Sequence, residues 1–453
     1  SAHRRTASSG AHFNNGGFAD MNTQLTRTLL LGIVALAVPG PARAQTSGMD
    51  EMDMRSLSLG GGWHLTGMAQ AYPIVTVGAP GHEDSPLHET GWYLTQPAIM
   101  THLDGFDQRL VLHTTLNFEA LTQENGELSF GGWGEGFIDK RHPHTLLHEL
   151  MLSYNLLDVG SGQLSLSAGK GFAPFGTADP MSRPGLKYPT NHHLSQILER
   201  WTVNAVWRLN RWSVEAGIFG GEEPEGPYDL SNIESFGDSW SVRLARRWGS
   251  GSGPMSEWEA SASLASVTEI AHTTEEETTW LWNAALRPSL TVGSARLHGL
   301  LEASASYLAD HEDFFSVLAE ARYDGGGHQP YVRVEYASRP EYDREGASGD
   351  DFFRYHDHED PLGSTRWLIT TAAYAYELTP EPWSIRPFVE VGYHQVRGDR
   401  GGVAATDLYG TTSFWALSAG ARIFLVGGPM RMGSYGVLDP MMDMGRGMND
   451  TGM

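Results

Sequence analysis

The chain contains no cysteine, which removes disulfide frameworks, thiolate metal sites and cysteine nucleophiles together. Lysine is nearly absent as well: Lys140, Lys170 and Lys187 are the only three, so positive charge is carried almost entirely by arginine. Even with arginine counted, 31 basic residues face 54 acidic ones, for a net charge of −23 at pH 7. A nucleic-acid binder needs a basic footprint to displace counterions from phosphate, so this function is excluded. Long apolar runs are also missing. The stretch Leu29 to Val38 has ten residues, too few to cross a bilayer as a helix. G-x-S-x-G, H-E-x-x-H, P-loop and dinucleotide signatures do not occur in a strand-to-helix setting, and no enzyme is expected.

What is present begins at Met21, where "MNTQLTRTLLLGIVALAVPGPARAQTSG" sets Arg27 before the apolar run and "ARA" before Gln45. Charge, apolar core and small-x-small site in that order are the plan of a secretory signal peptide. The expected organisation is an upstream segment 1–20 outside the native protein, a signal peptide 21–44, a periplasmic N-terminal segment 45–61, a barrel 62–426, and a Met/Gly-rich periplasmic tail 427–453. Positions 1–44 hold four Arg and one Asp, so the remainder is three charges more negative than the whole.

The recurring unit after residue 62 is a segment of about ten residues with period-two alternation, as in transmembrane strands. "FFSVLAEARY" sets Phe315, Val317, Ala319, Ala321 and Tyr323 against Ser316, Glu320 and Arg322. "SIRPFVEVGYH" sets Ile385, Val389, Val391 and Tyr393 against Arg386, Glu390 and His394. One face suits lipid and the other water. Sixteen such segments lie between residues 62 and 426, and their connections alternate. Short ones such as "NR", "TVGS" and "DGGGH" are interleaved with mostly longer ones, including 173–198 and 338–365. Short turns at one rim and long loops at the other distinguish a membrane barrel from a two-sheet sandwich. Tryptophans sort to the same two rims: Trp207, Trp212, Trp248, Trp258 and Trp383 beside short turns, and Trp92, Trp280, Trp282 and Trp367 after long loops. The fold class is therefore all-β, a transmembrane antiparallel β-barrel of about sixteen strands, with long external loops, short periplasmic turns and both termini periplasmic.

The stretch "GQLSLSAGKGFAPFGTADPMSRPGLKYPTNHHLSQILER", residues 162–200, resembles the phosphate-selective porin (O and P) family. The corresponding strand of that family ends in Gly-basic-Phe-Lys-x-Pro-Phe-Gly. Gly169, Lys170, Pro174, Phe175 and Gly176 match, while Gly171 and Phe172 stand where the family has Phe and Lys. Farther on, "EAGIFGGE" is similar to the family's Gly-Val-Phe-Asn-Gly, with Gly220 in place of Asn. The resemblance covers residues 162–222. It implies a sixteen-stranded porin, homotrimeric in its assembly, whose third external loop folds into the pore. On that basis Asp179, Arg183, Lys187, His192 and His193 are candidates for the constriction, facing Arg243, Arg333, Arg386 and Glu390.

Phosphate selectivity does not follow, because an anion filter needs rings of positive charge. The loop 338–365 carries eight acidic residues against Arg339, Arg344 and Arg354, and an acidic vestibule attracts cations. The expected function is passive diffusion of small polar or charged solutes through an outer-membrane pore, general or mildly cation-preferring, with lipid and solute as partners and no resident cofactor. The alternative is a metal-handling barrel. Histidine recurs with carboxylates in "HEDSPLHE" (82–89), "KRHPHTLLHE" (140–149), His192 with His193, and "YHDHED" (355–360), where His356 and His358 are candidate Cu or Zn ligands. Seven of the sixteen methionines lie from Met430 onward; Met441, Met442, Met444 and Met448 offer soft thioethers to Cu(I).

Overall fold

The computed structural model describes residues 56–122, 145–177, 192–248, 258–270, 276–308, 313–341, 362–425 and 433–441, leaving out positions 89, 225, 226 and 381. Among the described residues eighteen strands run in chain order: β1 Ser56–Gly60, β2 Trp63–Gly78, β3 Thr90–Gly105, β4 Leu110–Asn117, β5 Leu147–Val159, β6 Gly162–Gly171, β7 Arg200–Leu209, β8 Trp212–Phe219 and β9 Ser239–Trp248. They continue with β10 Trp258–Ile270, β11 Glu276–Arg287, β12 Ser289–Val292, β13 Ala295–Leu308, β14 Phe314–Asp324, β15 His328–Glu341, β16 Gly363–Tyr376, β17 Trp383–Arg400 and β18 Ser413–Leu425.

From β2 onward each wall strand pairs antiparallel with the next, and β18 returns to pair with β2, Leu425 against Ala69 through Ala416 against Gly78. The sheet is closed. β11 and β12 both pair with β13 and are one wall strand broken at Pro288, which has no N–H for the ladder. The wall thus has sixteen strands, as the alternation requires. β1 is a short extra hairpin on β2, with Ser56 opposite Thr66, along the stretch of that edge that β18 does not reach.

Faces sort as the sequence dictates. In β8 Trp212, Val214, Ala216 and Ile218 are exposed outward, while Ser213, Glu215, Gly217 and Phe219 are buried inward. β9 repeats this with Trp240, Val242 and Leu244 outside and Ser239, Ser241 and Arg243 inside. Period-two side chains on a closed sheet allow no other arrangement. Trp92, Trp207, Trp212 and Trp280 stand exposed on the outside, near the rims assigned to them. Trp367 corrects the expected girdle. It is fully buried, because β16 places it in phase with inward Thr365, Ile369 and Thr371, leaving Arg366 and Leu368 outside.

Candidate functional site

The inward face of the barrel is the candidate site, and three parts of the chain lie against it. The first is the third long connection, which follows β6. Ala173 and Phe175 on its outgoing limb and Ile197 on its returning limb pack with Phe219 of β8, Ala265 and Val267 of β10 and Leu281 of β11. Gly176 makes the turn of this limb at φ +61, where a Cβ would sit 1.7 Å from the Ser195 carbonyl oxygen. Its N–H donates to Ser263 Oγ at 2.9 Å, and its carbonyl accepts from Arg243 Nε at 2.9 Å. Thr177 Oγ1 donates to Glu302 of β13 at 2.8 Å. The described parts of the loop therefore cross the inner wall from β8 to β13, in line with the inward fold that the resemblance implies.

Arg243 is the hinge of that contact. Register sets it opposite Glu215, with Glu259 nearby on β10. Its Nη1 lies 2.5 Å from Glu215 Oε1 and its Nη2 2.9 Å from Glu259 Oε1, all three side chains buried. Of the other matched positions, Lys170 is wholly buried at the end of β6. Its Nζ donates to Thr145 Oγ1 at 2.5 Å and to the Leu147 carbonyl at 3.1 Å. Glu199 closes the node, accepting from the Thr145 N–H at 2.8 Å and facing His148 Nδ1 at 2.6 Å. His148 and Glu149, read in the sequence as part of a His-carboxylate loop cluster, thus lie in β5 and are buried. Pro174 lines the same limb, its Cδ 2.5 Å from where a Cβ on Gly217 would stand.

The second part joins the connections after β2 and after β17. A one-turn helix, Ala405–Tyr409, packs Ala405 and Tyr409 with Ala79, Leu87, Trp367, Val396 and Phe414. The Tyr409 hydroxyl donates to the Glu341 carboxylate, 2.7 and 2.8 Å from its two oxygens, and accepts from Arg339 Nη1 at 3.3 Å. His394 stacks on Phe414 with ring centroids 4.6 Å apart.

The third part was not anticipated. Residues 433–441 lie inside the barrel against β3 to β7. Tyr435, Val437, Leu438, Asp439 and Met441 are all buried. Residues 427–453 are expected from the sequence to be a Met/Gly-rich periplasmic tail; their described part, 433–441, packs against the inner wall instead of extending from it. The physical reason is that its apolar residues and its one carboxylate find a matching wall: Val206 beside Val437 and Leu438, and two histidines, His102 and His113, beside Asp439.

The arc from β14 to β18 holds the remaining wall candidates. Arg333 Nε meets Glu320 Oε2 at 3.1 Å, its Nη1 lies 3.6 Å from Glu335, and its guanidinium lies 5.4 Å from the Tyr331 ring centre. Arg386 and Arg422 are direct cross-strand partners, a costly like-charge placement. Arg386 is met by Glu377 at 2.8 Å, and both guanidinium groups lie over Phe424, at 5.3 and 5.7 Å. Arg322, Tyr331, Arg386, Glu390 and Arg422 line a cavity of about 20 Å³, room for about one water.

The structure thus brings Arg243 to the third loop and gathers Arg333, Arg386 and Glu390 on the other arc. Asp179, Arg183 and Lys187, and the side chains of His192 and His193, lie outside the described residues. So do His356, His358, Met442, Met444 and Met448; Met441 is within the lumenal segment. Among the described residues no group of three or more His, Cys, Asp or Glu side chains is arranged to hold a metal ion. Sequence reasoning missed Tyr435 and Asp439 because the tail has no periodicity; Gly433 and Gly436 flanking Tyr435 were the available signal of a tightly packed turn.

The molecule is a closed β-barrel with an internally lined wall. No family model and no curated protein matches the chain. Among solved structures, the chain is similar to OprB of Pseudomonas putida (12% identity, 80% of this chain and 94% of that one, TM-score 0.48). It is also similar to outer-membrane-expressed OmpT of Vibrio cholerae (12%, 82% and 100%, TM-score 0.46) and to the anion-selective porin of Comamonas acidovorans (12%, 80% and 99%, TM-score 0.41). The barrel assignment rests on the strand pairing above.

Proposed function

We propose that the chain is an outer-membrane pore for passive diffusion of small polar or charged solutes, general or mildly cation-preferring, with the short-turn rim in the periplasm. One observation carries this reading: a closed antiparallel wall whose exposed outer face is apolar and aromatic and whose inner face holds paired Arg, Glu and His. Closure pairs the wall strands on both edges, the condition for residence in lipid. A water-soluble barrel has no reason to present Leu152, Tyr154, Leu166, Val214, Ile218 and Leu244 on its outside. In this reading the strands are the crossing elements, their outward faces meeting lipid; no described helix is long and apolar enough to cross a membrane.

The mechanism needs no chemistry. The charged inner wall sets the field along the lumen, and the described limbs of the third loop narrow the passage. The net negative charge and the acidic loop 338–365 support a preference for cations. Three-fold assembly is part of the proposal only through the family resemblance, and crosslinking in membranes tests it. The decisive experiment is single-channel recording of the purified chain in planar bilayers. Discrete, lasting conductance steps are expected; a bilayer that stays silent despite folded, inserted protein overturns the reading.

A further inference from the structure

We infer that the C-terminal segment Gly433–Met441 is a size-determining plug, forming with the third loop a two-part constriction of the pore; the inference rests on the channel reading above.

The segment is held by three sets of contacts with the wall. In the first, the Tyr435 hydroxyl donates to Glu149 Oε1 at 2.6 Å and accepts the Phe172 N–H at 3.0 Å. One phenol thus ties the tail both to β5 and to the root of the third loop. In the second, the Val437 N–H donates to Ser165 Oγ of β6 at 3.2 Å, while Arg208 of β7 reaches the Val437 carbonyl at 3.4 Å. In the third, Asp439 Oδ2 lies 3.2 Å from His102 Nε2 on β3 and 3.9 Å from His113 Nδ1 on β4. Its other oxygen accepts the Met441 N–H at 2.9 Å, closing a turn.

The fit is too close for casual contact. Gly436 has φ +62, and a Cβ there would fall 2.1 Å from Ser165 Oγ. Inward-facing Ser and His would line water if the segment were elsewhere, and here they are its hydrogen-bond and charge partners. A carboxylate buried among two histidines, and a tyrosine buried against a glutamate, are specific pairings rather than the burial of a greasy end. The described limbs of the third loop lie along β8 to β13 and this segment along β3 to β7, on neighbouring arcs of the same lumen. Both project from the wall into the passage that a solute would use, and together they narrow it.

The test compares three proteins in planar bilayers: the full chain, a chain ending at residue 432, and the full-length double variant Gly436→Val, Asp439→Asn, which keeps every wall strand. The truncated chain is expected to conduct about twofold more per channel or higher, as a wider lumen requires, and the double variant to show intermediate or fluctuating steps. Because the native chain has no cysteine, Ser165→Cys with Val437→Cys supplies a unique thiol pair; oxidised, it should hold the native conductance and abolish fluctuation. Equal conductance of the full chain and both untethered variants overturns the plug while leaving the channel intact. Silence of all of them, when each is folded and inserted, overturns the channel reading itself. If the truncated chain fails to insert, the full-length double variant decides: native conductance from it sinks the inference.

Discussion

Arg243 shows how much one side chain can organise in a barrel lumen. It neutralises Glu215 and Glu259 and holds the Gly176 carbonyl, so it binds two wall strands and the inserted loop at once. Arg243→Ala removes the countercharge of buried Glu215 and leaves Glu259 to Arg247 alone, and is expected to cost about 3–5 kcal/mol in denaturant unfolding from vesicles. Arg243→Lys should recover only part of this, since an ammonium cannot serve the fork of acceptors that a guanidinium spans. Asp439 gives a pH signature. Burial pushes its carboxyl up, but the two imidazoles beside it, His102 at 3.2 Å and His113 at 3.9 Å, outweigh burial and hold it well below the usual carboxylate range. Glu149 on β5 and Asp104 on β3 are the other charged groups facing those histidines. A depressed value means the ionised form favours docking. That contribution is complete above the ordinary Asp value of about 3.9 and drains away as pH falls below it, toward the depressed value. Protease accessibility of the tail, measured against pH, should therefore rise on strong acidification, and Asp439→Asn should flatten that part of the profile. In the sequence, Arg243 could be placed on an inward face but its loop partner could not, because contacts across the lumen join residues 67 positions apart with no shared pattern. Asp439 was illegible for the same reason.

At the level of the strand, nearly everything was written in the alternation. The faces of "FFSVLAEARY" and "SIRPFVEVGYH" appear in β14 and β17 as expected, since a closed sheet with lipid on one side leaves no freedom to slip by one residue. Strand ends were less legible. β4 stops at Asn117 because its side chain accepts the Glu119 N–H at 2.9 Å and turns the chain into a 3-10 turn, a local choice that periodicity does not register. β1, with five residues, is too short for its alternation to stand out. Trp367 was misassigned because tryptophan beside a loop usually marks the interface, whereas here the helix Ala405–Tyr409 gives it an aromatic partner inside, Tyr409 at 5.1 Å. The outward face supports a direct test. Leu166 stands mid-strand on β6 with its side chain exposed, so Leu166→Arg should destabilise the barrel in vesicles by about 2–4 kcal/mol, with little effect in a detergent micelle that lets the side chain reach water.

For the whole molecule, the balance of charge predicts selectivity that depends on salt. With 54 acidic residues against 31 basic ones, the zero-current potential in a KCl gradient should indicate cation preference in dilute salt. The preference should shrink toward unity as KCl rises from about 0.1 M to about 1 M, where the Debye length falls from about 10 Å to about 3 Å. A preference that survives concentrated salt would instead place the selectivity in desolvated contacts at the constriction. The seam between β2 and β18 has a different kind of consequence, in time rather than in space. Thr76 Oγ1 and Ser418 Oγ meet there at 2.8 Å across 342 residues of chain. Local hairpins can zip as soon as their turns exist, but this junction waits until the last strand has been made, and its loop-closure entropy is repaid only then. Until that moment two bare strand edges are open to any neighbouring chain. The slow step of folding is therefore expected to be the final join, and a chain truncated before Ser413 should aggregate whatever the quality of its first fifteen wall strands.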